Sequence, residues 1–272
     1  DKLHIGGVKF FADGGVCGLP AVGFDYPGGQ GQGDLWFTQD ELNQIATDVH
    51  NNGFQIAIHA QGDRAIEQAQ NAIEFALIGG PNTYRHRIEH NSFHRVDLLP
   101  RYSEIGIVPT IFGAYATCAE NDRNAYSNFF GEENLSWLEN WRMFVDANPD
   151  LTIAWHGDDP WLVPVSPLLE LYGMVTRNEI AEDGSVCEAP DWLAAHSITV
   201  EEALPMMTIN AAYALFREDE VGSLAPGKFA DLLILSGNPF DDPHAIKDIQ
   251  VWMTMVGGKT EYCSTPDTSL CP

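Results

Sequence analysis

Positive charge is what this sequence has least of: 14 lysines and arginines face 39 aspartates and glutamates, a formal net charge of −25 over 272 residues. A surface this acidic repels phosphate backbones and anionic lipid headgroups. No run rich in lysine or arginine offsets it, so neither nucleic acid nor a membrane surface is an expected partner. Apolar runs are short as well. None reaches the roughly eighteen residues of a membrane-spanning helix, and no segment reads as a secretory signal. Cysteine is sparse: Cys17, Cys118, Cys187, Cys263 and Cys271 lie far apart without a CxxC pair. This pattern excludes a fold that depends on dense disulfide staples, and Cys17 and Cys118 lack the neighbours of a thiol nucleophile. Cys263 and Cys271 can close a local loop or equally remain free. The compartment is left open, with the cytoplasm as the default expectation.

What is present is the balance of a folded chain: 44% apolar and 19% charged residues, with 25 glycines and 16 prolines to punctuate many elements. Gly7–Ala12 reads as a short buried strand interrupted by Lys9, followed by a glycine-rich loop over 14–33. Thr38 with Glu41 predicts a capping box opening a helix that Gly53 ends. Phe54–His59 is the next buried strand, and 63–78 carries helical spacing through Ile66, Ala69, Ile73, Ala76 and Leu77. Strands over 84–90, 106–110 and 151–155 alternate with helices over 96–103 and 137–147, while 111–136 reads as an active-site lid. Strand–helix alternation of this kind argues for parallel βα units. Thr199 and Glu202 predict a second capping box, opening a helix toward Phe216 with Pro205 inside. After Gly227 the pattern turns to short β segments over 229–235 and 249–256, a Gly257-Gly258 turn and a loosely held tail.

Chemistry-bearing residues fall at strand ends, where parallel barrels assemble their sites. His59 closes IAIH and His90 closes RIEH one βα unit later. Each can offer an imidazole nitrogen to a divalent metal, or sit in the core satisfied by a carbonyl. Asp158 and Asp159 follow LTIAWHG; either can accept a proton from metal-activated water, or simply cap a loop. Strict alternation turns His156 to the other face. Lys9 can pair with an acid, reach to the barrel mouth, or carry a carboxylate that bridges two metals. Arg64 is a candidate for orienting substrate, with a structural ion pair as its simpler role.

Taken in order, VKFFADG, IHAQGDRA, RIEHN, GDDP and GSLAPGKFADL resemble the YtcJ-like branch of the amidohydrolase superfamily, amidohydrolase family 3, from Val8 to about Lys259. The resemblance implies an α/β fold: part of a (β/α)8 TIM-type barrel, about strands four to eight, followed by strands of a small β-sandwich. It divides the chain into residues 1–218 of barrel, 219–260 of closing sandwich and a tail over 261–272. It implies hydrolysis of carbon–nitrogen bonds other than peptide bonds, in amide, N-acyl or N-formyl small molecules, by metal-activated water. The metal ligands carried over are Lys9 at the strand-four bridging position, His59 and His90 at strands five and six, and Asp158 at strand eight, with Asp159 the alternative. One or two divalent transition metals are expected, zinc first, then iron or manganese.

The same resemblance places a His-x-His pair on an earlier strand, which is not found before Lys9. The sequence therefore leads one to expect an N-terminal portion, a complementary chain or an oligomer that completes the barrel. The competing expectation is a catalytically inactive scaffold of the same fold.

Overall fold

The computed structural model describes residues 5–15, 19–113, 130–158, 166–181, 183–266, 269 and 271. Five strands, β1 (Gly7–Phe11), β2 (Gln55–Ala60), β3 (Arg87–His90), β4 (Val108–Ile111) and β5 (Ala154–Trp155), pair in parallel in the order of the chain. Each strand lies beside the next one in sequence, the winding of a barrel wall rather than of a sheet wound in two directions. Helices α1 (Gln39–Asn51), α2 (Asp63–Leu77), α3 (Leu99–Ile105) and α4 (Trp141–Ala147) fill the successive crossovers.

Local chemistry sets several boundaries. Thr38 accepts from the Glu41 amide while the Glu41 carboxylate accepts from the Thr38 amide at 2.8 Å, so α1 opens on the expected capping box. Along α2, Ala65, Ala69, Ala72 and Ala76 are buried; these small residues let the helix lie close to the sheet. Ile56 and Ile58 of β2 and Ile66 of α2 belong to the same core, and each stabilises the fold by about 1.5–3 kcal/mol.

The opposite face of the sheet is polar. Parallel register aligns Phe11 with His59, His59 with Glu89 and Glu89 with Thr110, so these side chains share one face. Here β1 departs from the sequence reading. Among the described residues it pairs with β2 alone, and its exposure alternates, leaving Lys9 and Phe11 exposed rather than buried.

After β5 come α5 (Pro167–Thr176), a small hairpin of β6 (Glu179–Ile180) and β7 (Val186–Cys187), then α6 (Asp191–Ala194), α7 (Val200–Met207) and α8 (Ile209–Ala214). Thr199 forms the second capping box, but the single helix expected toward Phe216 is divided at Thr208, whose φ of −126° and ψ of −94° are not helical. Pro205 lies inside the first of the two helices, which runs through it to Met207. Strands β8 (Leu232–Leu235), β9 (Val251–Val256) and β10 (Lys259–Cys263) then form a separate antiparallel sheet in the order β10-β9-β8. Cys263 and Cys271 are joined by a disulfide with Cα atoms 5.7 Å apart, which ties the tail to β10. Cys187 is disulfide-bonded as well. Among the described residues no helix is long and apolar enough to cross a membrane. The expected lid lies largely outside the described residues, over 114–129.

Candidate active site

The strands' C-terminal ends bring three imidazoles together. His59 is the penultimate residue of β2, His90 ends β3, and His156 follows β5 with its amide donating to the Ile111 carbonyl at 3.0 Å. The His59 and His90 ring centroids are 4.4 Å apart, and those of His90 and His156 are 4.7 Å apart. Phe112 packs against both of the latter, at 4.8 and 4.3 Å. Strict alternation misplaces His156 because β5 has only two residues and regular pleating does not extend to it.

His90 reaches this position through an unusual backbone. Its φ is 77° and that of Asn91 is 57°, the left-handed region that side chains with a Cβ seldom adopt. Neighbouring bonds over-determine the turn. The Asn91 amide donates to Ala60, its side chain donates to the carbonyls of Ile88 at 2.8 Å and Thr110 at 3.0 Å, and the Tyr102 hydroxyl donates to its Oδ1. Strain held this firmly is a frequent mark of a functional position.

The electrostatics keep the three rings neutral. Burial, with a further push from the Lys9 charge, lowers His59 to about 4, and the same two causes act on His156, also at about 4. His90 is pushed down further by burial, then by His156, His59 and Lys9. Neutral imidazole is the form that binds a metal. The Gly14 carbonyl lies 3.3 Å from His59 Nε2; a carbonyl only accepts, so Nε2 carries the proton and Nδ1 keeps its lone pair. His59 Nδ1, His90 Nδ1 and His156 Nε2 are all buried without a hydrogen-bond partner. Buried nitrogens left in this way suit a bound cation, so the donor chemistry of His59 and His90 fits a divalent transition metal. Among the described residues, no group of three His, Cys, Asp or Glu side chains stands ready-made to hold one.

The acids around the rings behave differently from one another. Burial alone would raise the Glu89 carboxyl, but Arg87, His156 and hydrogen bonds from Thr110 and Arg87 together bring it below the ordinary range. Asp13 accepts from the amides of Gln61 at 3.0 Å, Gly62 at 2.8 Å and Ala21 at 3.0 Å, with Oδ1 3.6 Å from His59 Nε2. Burial outweighs those three amides and, helped by Asp63, raises Asp13 to about 7. Asp13 thereby ties the glycine-rich loop to the turn after β2. A Cβ on Gly62 would stand 2.0 Å from the Ala21 carbonyl, so only glycine permits this closeness. Asp63 adds a bond to the Gly23 amide at 2.7 Å. The sequence reading missed Asp13 and Asp63; their signal was an acid beside glycine at each of two successive strand ends.

Lys9 lies exposed on the polar face with Nζ 5.2 Å from the Phe11 ring, and its charge acts on all three histidines. Asp158 is exposed beyond β5 with φ 53°, and its charge acts on His59 and His156. Asp159 lies outside the described residues. Arg64 forms no ion pair among the described residues; Arg95 instead meets Asp63 at 3.5 Å and Glu67 at 3.0 Å. Beside His59, Phe11 (44% exposed) stacks on Trp36 (56% exposed) at 5.8 Å, an apolar surface next to the imidazoles.

Comparison with known proteins identifies the family. The chain is similar to the putative amidohydrolase YtcJ of Bacillus subtilis, 25% identical over 264 residues that cover 96% of this chain and 47% of that protein. It is similar to the N-substituted formamide deformylase of Arthrobacter pascens, 28% identical over 269 residues, covering 96% and 46%. It also resembles Protein LONG AFTER FAR-RED 3 of Arabidopsis thaliana, 29% identical over 268 residues, covering 96% and 43%. The chain thus spans about half the length of the curated relatives it matches. An uncharacterized metal-dependent hydrolase from Pyrococcus horikoshii shares the fold with a TM-score of 0.73 at 23% identity, over 90% of this chain and 47% of that one. A second from Pyrococcus furiosus gives a TM-score of 0.64 at 25% identity, over 82% and 42%. The family model described as amidohydrolase family matches residues 1–262; the chain, with its run of parallel strands and histidines at their ends, belongs to the amidohydrolase family.

Proposed function

We propose that this chain carries the histidine side of a metal-dependent centre that hydrolyses the carbon–nitrogen bond of a small amide, N-acyl or N-formyl compound. The observation that carries the reading is the His59–His90 pair, 4.4 Å apart, neutral, each with a buried unpartnered Nδ1. His59 and His90 would hold the metal, zinc first and iron or manganese next. Lys9 would add an oxygen donor if its amine were carboxylated, and Asp158 a carboxylate. A divalent metal there supplies Lewis acidity toward a carbonyl and makes water a better nucleophile near neutral pH.

This chain's own residues do the rest. Asp158 is open to solvent; it takes a proton from the attacking water and returns it to the departing nitrogen. Asp13 and Gly14 fix the His59 ring from the side away from its lone pair. Phe11 and Trp36 cover the apolar part of the substrate. The relatives' names include a formamide deformylase, which makes N-substituted formamides the first compounds to test. Because the chain spans about half of those relatives, the proposed activity belongs to the polypeptide or complex in which these residues sit.

The test is a screen of N-formyl and N-acyl amines with zinc or manganese supplied, against a chelated control. Chelation is expected to abolish turnover, and Asp158→Asn to lower kcat by about 10²-fold or more. Turnover that survives both chelation and His59→Ala would overturn the reading. A metal-loaded protein without turnover would favour the inactive scaffold.

A further inference from the structure

Phe112 holds its place against two histidines through the residue that follows it. Gly113 is held through both of its backbone groups: its amide donates to Glu170 Oε2 at 3.0 Å, and its carbonyl accepts from Arg177 Nη1 at 3.3 Å. A Cβ on Gly113 would lie 2.4 Å from Glu170 Oε2 and 2.6 Å from the Glu170 carbonyl, so β4's exit is pressed directly onto α5. Arg177, which caps α5, donates through Nη2 to Glu139 Oε2 at 2.8 Å, and the two side chains are 2% and 1% exposed. Both residues adopt the left-handed backbone, with φ 57° for Arg177 and 46° for Glu139. The Glu139 amide in turn donates to the Ser92 carbonyl at 2.6 Å, two residues beyond His90. Among the described residues no hydrogen bond or ion pair joins Glu139, Glu170 or Arg177 to the three imidazoles.

A buried ion pair is a poor way to gain stability, since desolvation cancels much of its attraction. Its value lies in fixing geometry, and here the fixed object is the exit of β4. We propose that Arg177 is a positioning residue which, with Glu170 on the Gly113 amide and Glu139 behind it, sets Phe112 against the rings of His90 and His156. It controls the wall of the histidine site without contacting substrate or metal. The inference rests on the proposed function only in taking His90 and His156 as part of the site.

The test reads the histidine rings themselves, by long-range proton–nitrogen NMR of the metal-free protein, so that it does not depend on turnover. Phe112→Leu supplies the reference shift for loss of the stacked ring. Arg177→Lys keeps the charge against Glu139 but cannot serve both acceptors with the same planar fork. It is expected to move the His90 and His156 resonances in the direction of Phe112→Leu, while His50 and His86, paired at 2.9 Å away from this hub, stay in place. Unmoved His90 and His156 resonances in a folded Arg177→Lys protein would overturn the proposal. Should that variant fail to fold, Glu170→Leu and Glu170→Gln decide. The leucine variant is expected to shift the same two rings, and the glutamine, which keeps an acceptor for Gly113, to restore them. Equal shifts in both, or none in either, would contradict the positioning role. A protein that binds no metal would sink the proposed function but leave this readout intact.

Discussion

The two sheets of this molecule differ in which residues they allow in awkward backbone. In the antiparallel sheet and the turns leading to it, from residue 219 onward, the left-handed positions among the described residues are Gly222, Gly227, Gly257 and Gly258. Each has a residue that adopts such a conformation without steric penalty. Around the parallel sheet glycines such as Gly33 and Gly53 share the same region of φ with residues that carry a Cβ, among them His90, Asn91, Glu139, Asp158 and Arg177. Charge follows the same division. The C-terminal sheet pairs Lys259 with Glu261 at its surface, whereas the barrel wall buries Arg177 with Glu139. One region spends its residues on folding economically; the other accepts strain and desolvation to hold imidazoles at strand ends.

The comparison is broken most forcefully at the buried pair. Glu139→Ala leaves Arg177 without its partner and should cost about 3–5 kcal/mol, read as a lower urea midpoint. Lys259→Ala, at an exposed pair, should lie within error of wild type. Next comes glycine. Gly62→Ala drives a Cβ to 2.0 Å from Ala21, an overpacking expected to cost about 3 kcal/mol. Gly227→Ala meets no atom within 4 Å and bears only its φ of 98°, about 1–2 kcal/mol. Similar losses for the two would erase the distinction between the regions.

Acid should act on the barrel wall. His59, His86, His90, His94, His156 and His196 all titrate below 6.5, chiefly through burial. Between about 4 and 6.5 the unfolded chain binds more protons at these sites than the folded one, so stability rises with pH across that window. Asp13 and Glu139, raised to about 7, and Asp63, also raised by burial, work the other way above the ordinary carboxyl range. Six groups outweigh three, and the Tm of the metal-free protein should fall on moving from about pH 7 to pH 5. A flat or rising Tm would contradict the burial that defines the site. The smallest effect belongs to Arg64→Ala. With no ion pair to lose among the described residues, it should change stability by less than about 0.5 kcal/mol.

Much of the barrel wall was legible because its signals are local. Both capping boxes, at Thr38 and Thr199, form as their Thr-x-x-Glu spacing predicts, and α2 follows its apolar period almost residue for residue. His59 and His90 could be singled out because strands end on them. What escaped the sequence depends on contacts between distant segments. Asp13 gains its role from amides at Ala21, Gln61 and Gly62. Lys9 lies exposed on a strand that, among the described residues, pairs with β2 alone, and His156 joins the cluster because a two-residue strand does not enforce alternation. Arg177 and Glu139 are 38 residues apart, and no pattern in either neighbourhood announces their bond.

The central claim is that His59 and His90 form the core of a metal site. It is tested most directly by counting metals per chain with elemental mass spectrometry, after loosely bound ions are removed, in wild type, His59→Ala and His90→Ala. The account predicts one or two tightly held transition-metal ions in the wild type and their loss from both variants. A wild-type value near zero that persists after zinc or manganese is supplied, or metal retained equally by both alanine variants, would contradict it.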